Sequence, residues 1–454
     1  MKKRKQPDRA FYQQLRALVL PIAFQQFMLA AVSASDAVML GRLSQDSMSA
    51  VSLAGQVQFV FSLYLATMTI GASMFAAQYW GKKDVRTVER ILGMVLMFTL
   101  PVSLLFTLAA AAAPSALMRI FTPEPTLIAC GAEYLRAVSL SYLFCGVSQI
   151  FLCIMKNCGR AARSSLISSC CVILNIVLNA LLIFGLFGFP ELGITGAAVA
   201  TVIARALELV WAYLDSLGEN RVKLRMGYLL RTDRELCKDF WKYVTPVLGN
   251  EIVWGVGFTM SSVIMGHLGS DAVAANSIAG VVKNLLVCFC IGIGSGGGIM
   301  VGNELGAGNP ERAKRYGARI VKLSILGGIL TGGVLLCISP LILRFAGLTP
   351  QAEGYLKWML VIGSYYLIGK SVNSTTIGGI FCAGGDSKFG FLCDAVTLWG
   401  ITVPLGLLAA FLWDLPVLAV YFIVNLDEIV KLPAVYRHYK KYTWVKNLTK
   451  EETP

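Results

Sequence analysis

Residues 15 to 41 read LRALVLPIAFQQFMLAAVSASDAVMLG, an apolar run long enough to cross a bilayer that nonetheless carries Asp36. About 20 mostly apolar helical residues span the hydrocarbon core. A carboxylate inside that core costs roughly 3 kcal/mol or more unless it meets protons, polar partners or water. The same run holds Pro21, Gln25 and Gln26, and a proline removes a helix hydrogen bond and bends the helix. The stretch therefore reads as a transmembrane helix able to bend, with one titratable group. Because Gly41 and Arg42 follow Asp36 by little more than a turn, an acid near the helix end reaching the headgroups is the plainer alternative.

Working outward, the 454-residue chain is 56% hydrophobic and 15% charged, with a mean hydropathy of +0.66. That composition excludes an ordinary soluble domain and predicts a polytopic membrane protein. A net charge of +14 and a pI near 9.2 raise nucleic acid as a partner. The basic residues, however, fall in short clusters between apolar runs, which is a topology signal, and no nucleic acid is expected. Twelve cysteines lie scattered through the apolar segments without a C-x-x-C or Cys/His spacing, so they read as buried thiols. The basic start, MKKRK, precedes a run of full spanning length with no small-residue cleavage site, and is expected to lead a retained helix instead of a signal peptide.

Apolar runs of spanning length predict twelve helices, at roughly 12 to 40, 48 to 79, 87 to 113, 128 to 155, 165 to 187, 194 to 217, 240 to 266, 272 to 303, 316 to 345, 353 to 381, 388 to 412 and 415 to 436. The loops alternate in charge. One side receives KKRK at 2 to 5, GKKDVRTVER at 81 to 90, KNCGRAAR at 156 to 163, the long 220 to 242 segment, GNPERAKRYGAR at 308 to 319, GGDSK at 384 to 388 and RHYKKYTWVK at 437 to 446. GRLSQDS, TPEPT, FGFPELG, GHLGSD, GLTPQAE and WDLP fall on the other. By the positive-inside rule both termini are cytoplasmic and the number of spans is even.

A shift of 225 positions lays PIAFQQ at 21 onto PVLGNE at 246, VMLGRL at 38 onto VIMGHL at 263, and AVSLAG at 50 onto ANSIAG at 275. AAQYWGKKD at 76 then falls on VGNELGAGN at 301, and KNCGRAARS at 156 resembles FCAGGDSKF at 381. Pro21/Pro246, Gly41/Gly266, Gly55/Gly280 and Gly81/Gly306 agree without a gap, so the halves are homologous. Six spans per half is even, so the halves enter from the same side, as parallel repeats around a central cavity. The expected organisation is an all-α protein with a six-helix lobe at 1–217, a cytoplasmic linker at 218–239, a second six-helix lobe at 240–436 and a basic cytoplasmic tail at 437–454.

Polar residues inside the spans mark such a cavity, since facing hydrocarbon is costly. Asp36 is the clearest acid of the first half. Asn175 and Asn179 lie one turn apart on the fifth span, and Thr201, Gln56 and Gln149 are further candidates. Amides and a hydroxyl around a carboxylate either stabilise its charge or supply oxygen ligands to a cation. Arg205 and Glu208, three apart on the sixth span, are expected to pair with each other. The second half has Ser261 where the first has Asp36, and carries Glu251, Lys283, Lys370, Asp394, Asp427 and Glu428 instead. For Lys283 and Lys370 a structural salt bridge and a transport role both stay open. Glu251 and Asp394 read as titrating groups, and Asp427, Glu428 and Lys431 as residues close to the inner membrane surface. GIGSGGG at 292 to 298 lacks the Lys-Ser/Thr of a phosphate loop. The two histidines, His267 and His438, form no metal or nucleophile pattern.

Two homologous six-helix halves, Pro21 with Asp36 in the first span, VMLGRLS, AVSLAG and AAQYWGKKD with their echoes, and the KNCGRAARS and FCAGGDSKFG segments resemble the multidrug and toxic compound extrusion (MATE) transporters of the MOP flippase superfamily. The likeness runs from about residue 11 to 446. It implies paired bundles in the cytoplasmic membrane, exporting organic cations and other toxic compounds in exchange for protons or sodium ions. It further implies a helix hinge at Pro21 and a first-lobe cation site at Asp36, Asn175, Asn179 and Thr201, where Asp36 would take either a sodium ion or a proton. Where some members carry a second acid on the fifth span this chain has Asn179, and a lone carboxylate among neutral oxygens suits sodium at least as well as a proton. Glu251, Lys283, Lys370 and Asp394 would form the second-lobe polar cavity. The chain is expected to act as a monomer, without a cofactor and not as an enzyme. A lipid-linked saccharide flippase, drawing on Lys283, Lys370 and Arg205 to hold pyrophosphate, is the alternative. A membrane-embedded lipid-modifying enzyme would need a clustered catalytic set that the sequence does not display.

Overall fold

A computed structural model describes residues 5–230 and 233–449. The start of the KKRK segment, Arg231 and Thr232 of the linker and residues 450–454 of the basic tail lie outside the described residues. The described chain is helical, with no strand among its elements. The first helix, Lys5–Leu43, runs through Pro21 unbroken and is followed by the second, Gln45–Gly81, with only Ser44 between. The Ser44 hydroxyl accepts the backbone N–H of Ser47 at 3.0 Å, which satisfies one of the orphan donors at the new helix start. Asp84 caps the third helix, Val85–Ala112, in the same way through Thr87 N–H at 3.0 Å.

The fourth span is two pieces, Pro125–Val138 and Leu140–Met155. The fifth is Ala161–Phe184 and the sixth Gly193–Ser216. The fourth and fifth fold back on each other at Gly159, whose φ of 75° only glycine adopts freely. The Ser164 hydroxyl consequently donates to the Leu152 carbonyl at 3.1 Å, although these residues are twelve apart. The seventh to ninth spans are Arg234–Gly266, Ser270–Gly306 and Pro310–Ala346. The tenth, Pro350–Asn373, continues as a π-helical stretch, Ser374–Phe381, and the eleventh extends over Ser387–Leu412. The twelfth, Val417–Val424, breaks at Asn425, whose side-chain amide donates to the Tyr421 carbonyl at 2.8 Å, and resumes as Asp427–Val430 and Leu432–Lys440.

Nine stretches of the described residues are long and apolar enough to cross a membrane. One of them, Leu140–Phe184, is the hairpin broken at Gly159, and the tenth span, with its π-helical continuation, and the twelfth, broken at Asn425, complete the twelve expected from sequence. Lipid is the solvent that fits the outer faces. On the ninth span Leu326, Ile329 and Leu330 are 61%, 53% and 59% exposed, while Gly327, Gly328 and Thr331 are buried.

Contacts group the chain into two compact units. One contains Met28–Ala76 and Asp84–Phe240; the other contains Trp241–Pro454 together with Met1–Phe27 and Ala77–Lys83. The first lobe of the sequence repeat therefore lends the beginning of its first helix and the end of its second to the unit built from the second. Phe11, fully buried, packs its ring 4.8 Å from that of Tyr316, and Gly292 on the eighth span leaves room for Ala23.

The repeat is visible inside that second unit. A methyl group at Gly81 would overlap the Asn303 carbonyl, and one at Gly306 would overlap the Gln78 carbonyl. Shifting by 225 positions takes 81 to 306 and 78 to 303, so the single crossing of the second and eighth spans is made by two equivalent contacts. Such close backbone approach at small residues is how helices associate where no water drives them together. We expect Gly306→Ala to lower the thermal midpoint of the detergent-purified protein, because overpacking there costs about 1 to 3 kcal/mol. Gly333→Ala, with nothing within 4 Å of its added carbon, raises it slightly through helix propensity.

Candidate functional site

Asn175 and Asn179 face inward from the fifth helix on the same side as Ser168 and Cys171, a spacing that keeps all four on one buried stripe. Against this stripe come Asp36 from the first helix and Thr201 from the sixth. The Asn179 amide donates to Asp36 Oδ1 at 2.6 Å and to Asn175 Oδ1 at 3.3 Å. The Asn175 amide donates in turn to Thr201 Oγ1 at 3.3 Å, and Thr201 donates to the Ala197 carbonyl at 3.0 Å. The four first-lobe residues picked from sequence are thus one hydrogen-bonded chain, and Asp36 is not a headgroup-facing acid.

A cavity of about 190 Å³ opens beside this chain, lined by Asp36, Asn175 and Thr201 and by Tyr134, Tyr142 and Gln58 among others. Asn179 Oδ1 is buried without a hydrogen-bond partner. A buried acceptor left unpaired costs about 1 to 3 kcal/mol. With Asp36, Asn175 and Thr201 it makes an oxygen-rich donor set that suits a small hard cation. Among the described residues no cluster of three or more His, Cys, Asp or Glu is present to hold a transition metal.

The cavity also takes in Arg205 and Glu208. They are ion-paired, Arg205 Nη1 to Glu208 Oε2 at 2.9 Å, and the Ser148 hydroxyl donates to the same oxygen at 2.9 Å. Their i,i+3 spacing predicted the pair, but spacing along one helix carried no sign that it would share a cavity with Asp36. Pro21 lies on the portion of the first helix that belongs to the other unit.

In the second unit the charges form a buried network. Lys370 Nζ meets Glu428 Oε1 at 3.1 Å, and the Asn373 amide donates to Glu428 Oε2 at 2.8 Å. Lys431 Nζ lies 2.8 Å from Asp394, 3.4 Å from Glu428 and 3.6 Å from Asp427. Asp394 is therefore held in an ion pair. Asp427, Glu428 and Lys431, which follow the break at Asn425, are buried among these groups at 6%, 1% and 3% exposure. Lys283 Nζ donates to the side-chain oxygen Oδ1 of Asn425 at 3.0 Å, with the rings of Tyr366 and Tyr421 at 4.8 and 5.2 Å. Glu251 makes no hydrogen bond or ion pair among the described residues, so it stands beside the network and not in it.

The MatE family profile matches residues 21–181 and again 246–408, two starts separated by the repeat shift. The chain is 26% identical to a probable multidrug resistance protein NorM of Bradyrhizobium diazoefficiens, over 88% of this chain and 87% of the relative. It is 29% identical to the multidrug resistance protein NorM of Burkholderia vietnamiensis, over 87% and 86%. A solved multidrug resistance MATE family transporter of the MOP superfamily, in an outward-facing conformation, superposes with a TM-score of 0.86 at 16% identity, covering 95% of this chain and 96% of the other, a match of fold.

Proposed function

Because the chain belongs to the MATE family of membrane transporters, we propose that it is a cation-coupled antiporter of the cytoplasmic membrane, with both termini inside, that exports organic cations as a monomer by alternating access. The observation that carries this reading is the hydrogen-bonded Asp36 in the first-unit cavity, 2.6 Å from Asn179 and joined through Asn175 to Thr201. Asp36 supplies the charge, and the amides and hydroxyl supply neutral oxygens. An incoming sodium ion or proton neutralises the carboxylate that an organic cation would otherwise occupy, so the two compete. Only a difference in affinity between the two orientations turns that competition into transport. The oxygen-rich donor set favours sodium.

A flippase that holds pyrophosphate would need unpaired cations. Arg205 is ion-paired with Glu208 and Lys370 with Glu428, so two of the three basic groups it would draw on are already neutralised. The test is uptake of a fluorescent organic cation into inverted membrane vesicles under an imposed sodium gradient and, separately, an imposed pH gradient. Sodium-driven uptake is the expected result, and no response to either gradient overturns the antiporter reading.

A further inference from the structure

The charged side chains lining the first-unit cavity are Asp36, Arg205 and Glu208. Asp36 comes from the first helix, while Arg205 and Glu208 sit one turn apart on the sixth and neutralise each other at 2.9 Å. Glu208 is only 1% exposed and its Oε2 is fixed by Arg205, by the Ser148 hydroxyl at 2.9 Å and by the Gln149 amide at 3.4 Å. Its other oxygen, Oε1, is buried with no hydrogen-bond partner, as is the hydroxyl of Ser168 on the same cavity wall. The wall thus holds a single net negative charge and two polar atoms waiting for a partner.

We propose that the net charge of the cavity, one negative charge on Asp36 once Arg205 has neutralised Glu208, sets the valence of the cargo, so that this cavity accepts organic cations carrying one positive charge and rejects those carrying two. The inference rests on reading the cavity as the cargo site of a cation exporter. A guest with one positive charge cancels Asp36 and leaves a neutral, enclosed site. A second positive charge meets the Arg205 guanidinium with no acid left to balance it, and an uncompensated charge in a low-dielectric enclosure is expensive. A guest N–H or O–H also satisfies Glu208 Oε1 or Ser168, which orients it along the axis from Asp36 to the sixth helix.

The experiment measures binding of two radiolabelled probes of nearly the same shape to the purified full-length transporter. Methylphenylpyridinium carries one positive charge and dimethylbipyridinium carries two. The native protein prefers the first by at least about tenfold. Arg205→Gln, which leaves two negative charges, shifts the ratio toward the dication by at least about tenfold, and Arg205→Lys keeps the native ratio. The double change Arg205→Gln with Glu208→Gln restores one negative charge and with it the native preference. Equal binding of both probes by the native protein overturns the proposal, as does an unmoved ratio in Arg205→Gln. Either result leaves the antiporter reading intact so long as the monocation still binds and is transported, whereas native protein that binds neither probe overturns both. Should Arg205→Gln fail to accumulate, Glu208→Gln decides: its cavity is neutral overall, so retained native affinity for the monocation overturns the proposal.

Discussion

Ion-driven export of an organic cation falls to the level of empty membranes when Asp36 is replaced by asparagine, while the amount of transporter in the membrane stays the same. Asparagine has nearly the shape of aspartate and keeps an oxygen for the Asn179 amide, which Asp36 Oδ1 accepts at 2.6 Å. The fold therefore loses little. What disappears is the charge. At a separation of about 4 Å and an effective dielectric constant of about 20, one ion pair contributes about 4 kcal/mol, roughly 1,000-fold in affinity. Both the organic cation and the coupling ion lose that term, so binding and coupling fail together. Asn179→Ala removes the hydrogen bond and keeps the charge, and is expected to reduce export far less. Drug resistance in cells expressing the Asp36→Asn protein at native level, undiminished from the native transporter, would remove Asp36 from the mechanism.

Replacing Lys431 with methionine produces the largest loss of stability. Its ammonium is 3% exposed and lies within 3.6 Å of Asp394, Asp427 and Glu428. Glu428 keeps Lys370 at 3.1 Å, but Asp394 and Asp427 are left buried with no ion pair among the described residues. Removing one partner from such a network costs about 3 to 5 kcal/mol, because the remaining charges stay desolvated and unpaired. In detergent the purified variant should unfold at markedly lower temperature, or be lost to aggregation on a sizing column. Adding Asp394→Asn to Lys431→Met recovers part of the loss by removing one of the stranded charges. A single variant as stable as the native protein would show that the acids take up protons without structural consequence.

These two residues differ in how far the sequence revealed them. Asp36 announced itself, since an acid within a spanning apolar run has few explanations other than a functional one. The asparagines of the fifth helix were legible for the same reason, aided by a spacing that fixed their common face. Lys431 was harder to place. It lies beyond the apolar part of the twelfth span, where a lysine ordinarily reaches the headgroups, and only the tertiary structure sets it against Asp394. Nor did the spacing of Arg205 and Glu208 show that they would share a cavity with Asp36, for helical spacing reports which residues share a face and not what the face opposes.

The sequence by itself determined the all-helical architecture, the twelve spans and the two homologous halves. Bilayer thickness, the expense of unpaired backbone in lipid and a gap-free repeat leave little freedom at that level. Tertiary structure decided which charges neutralise one another and which remain to meet a guest, because pairing depends on contacts between helices far apart in the chain. It also decided that the beginning of the first helix and the end of the second pack with the second-half unit. Gly81, Gly292 and Gly306 permit those approaches, but a missing side chain is visible in a sequence only as room, never as the neighbour that fills it.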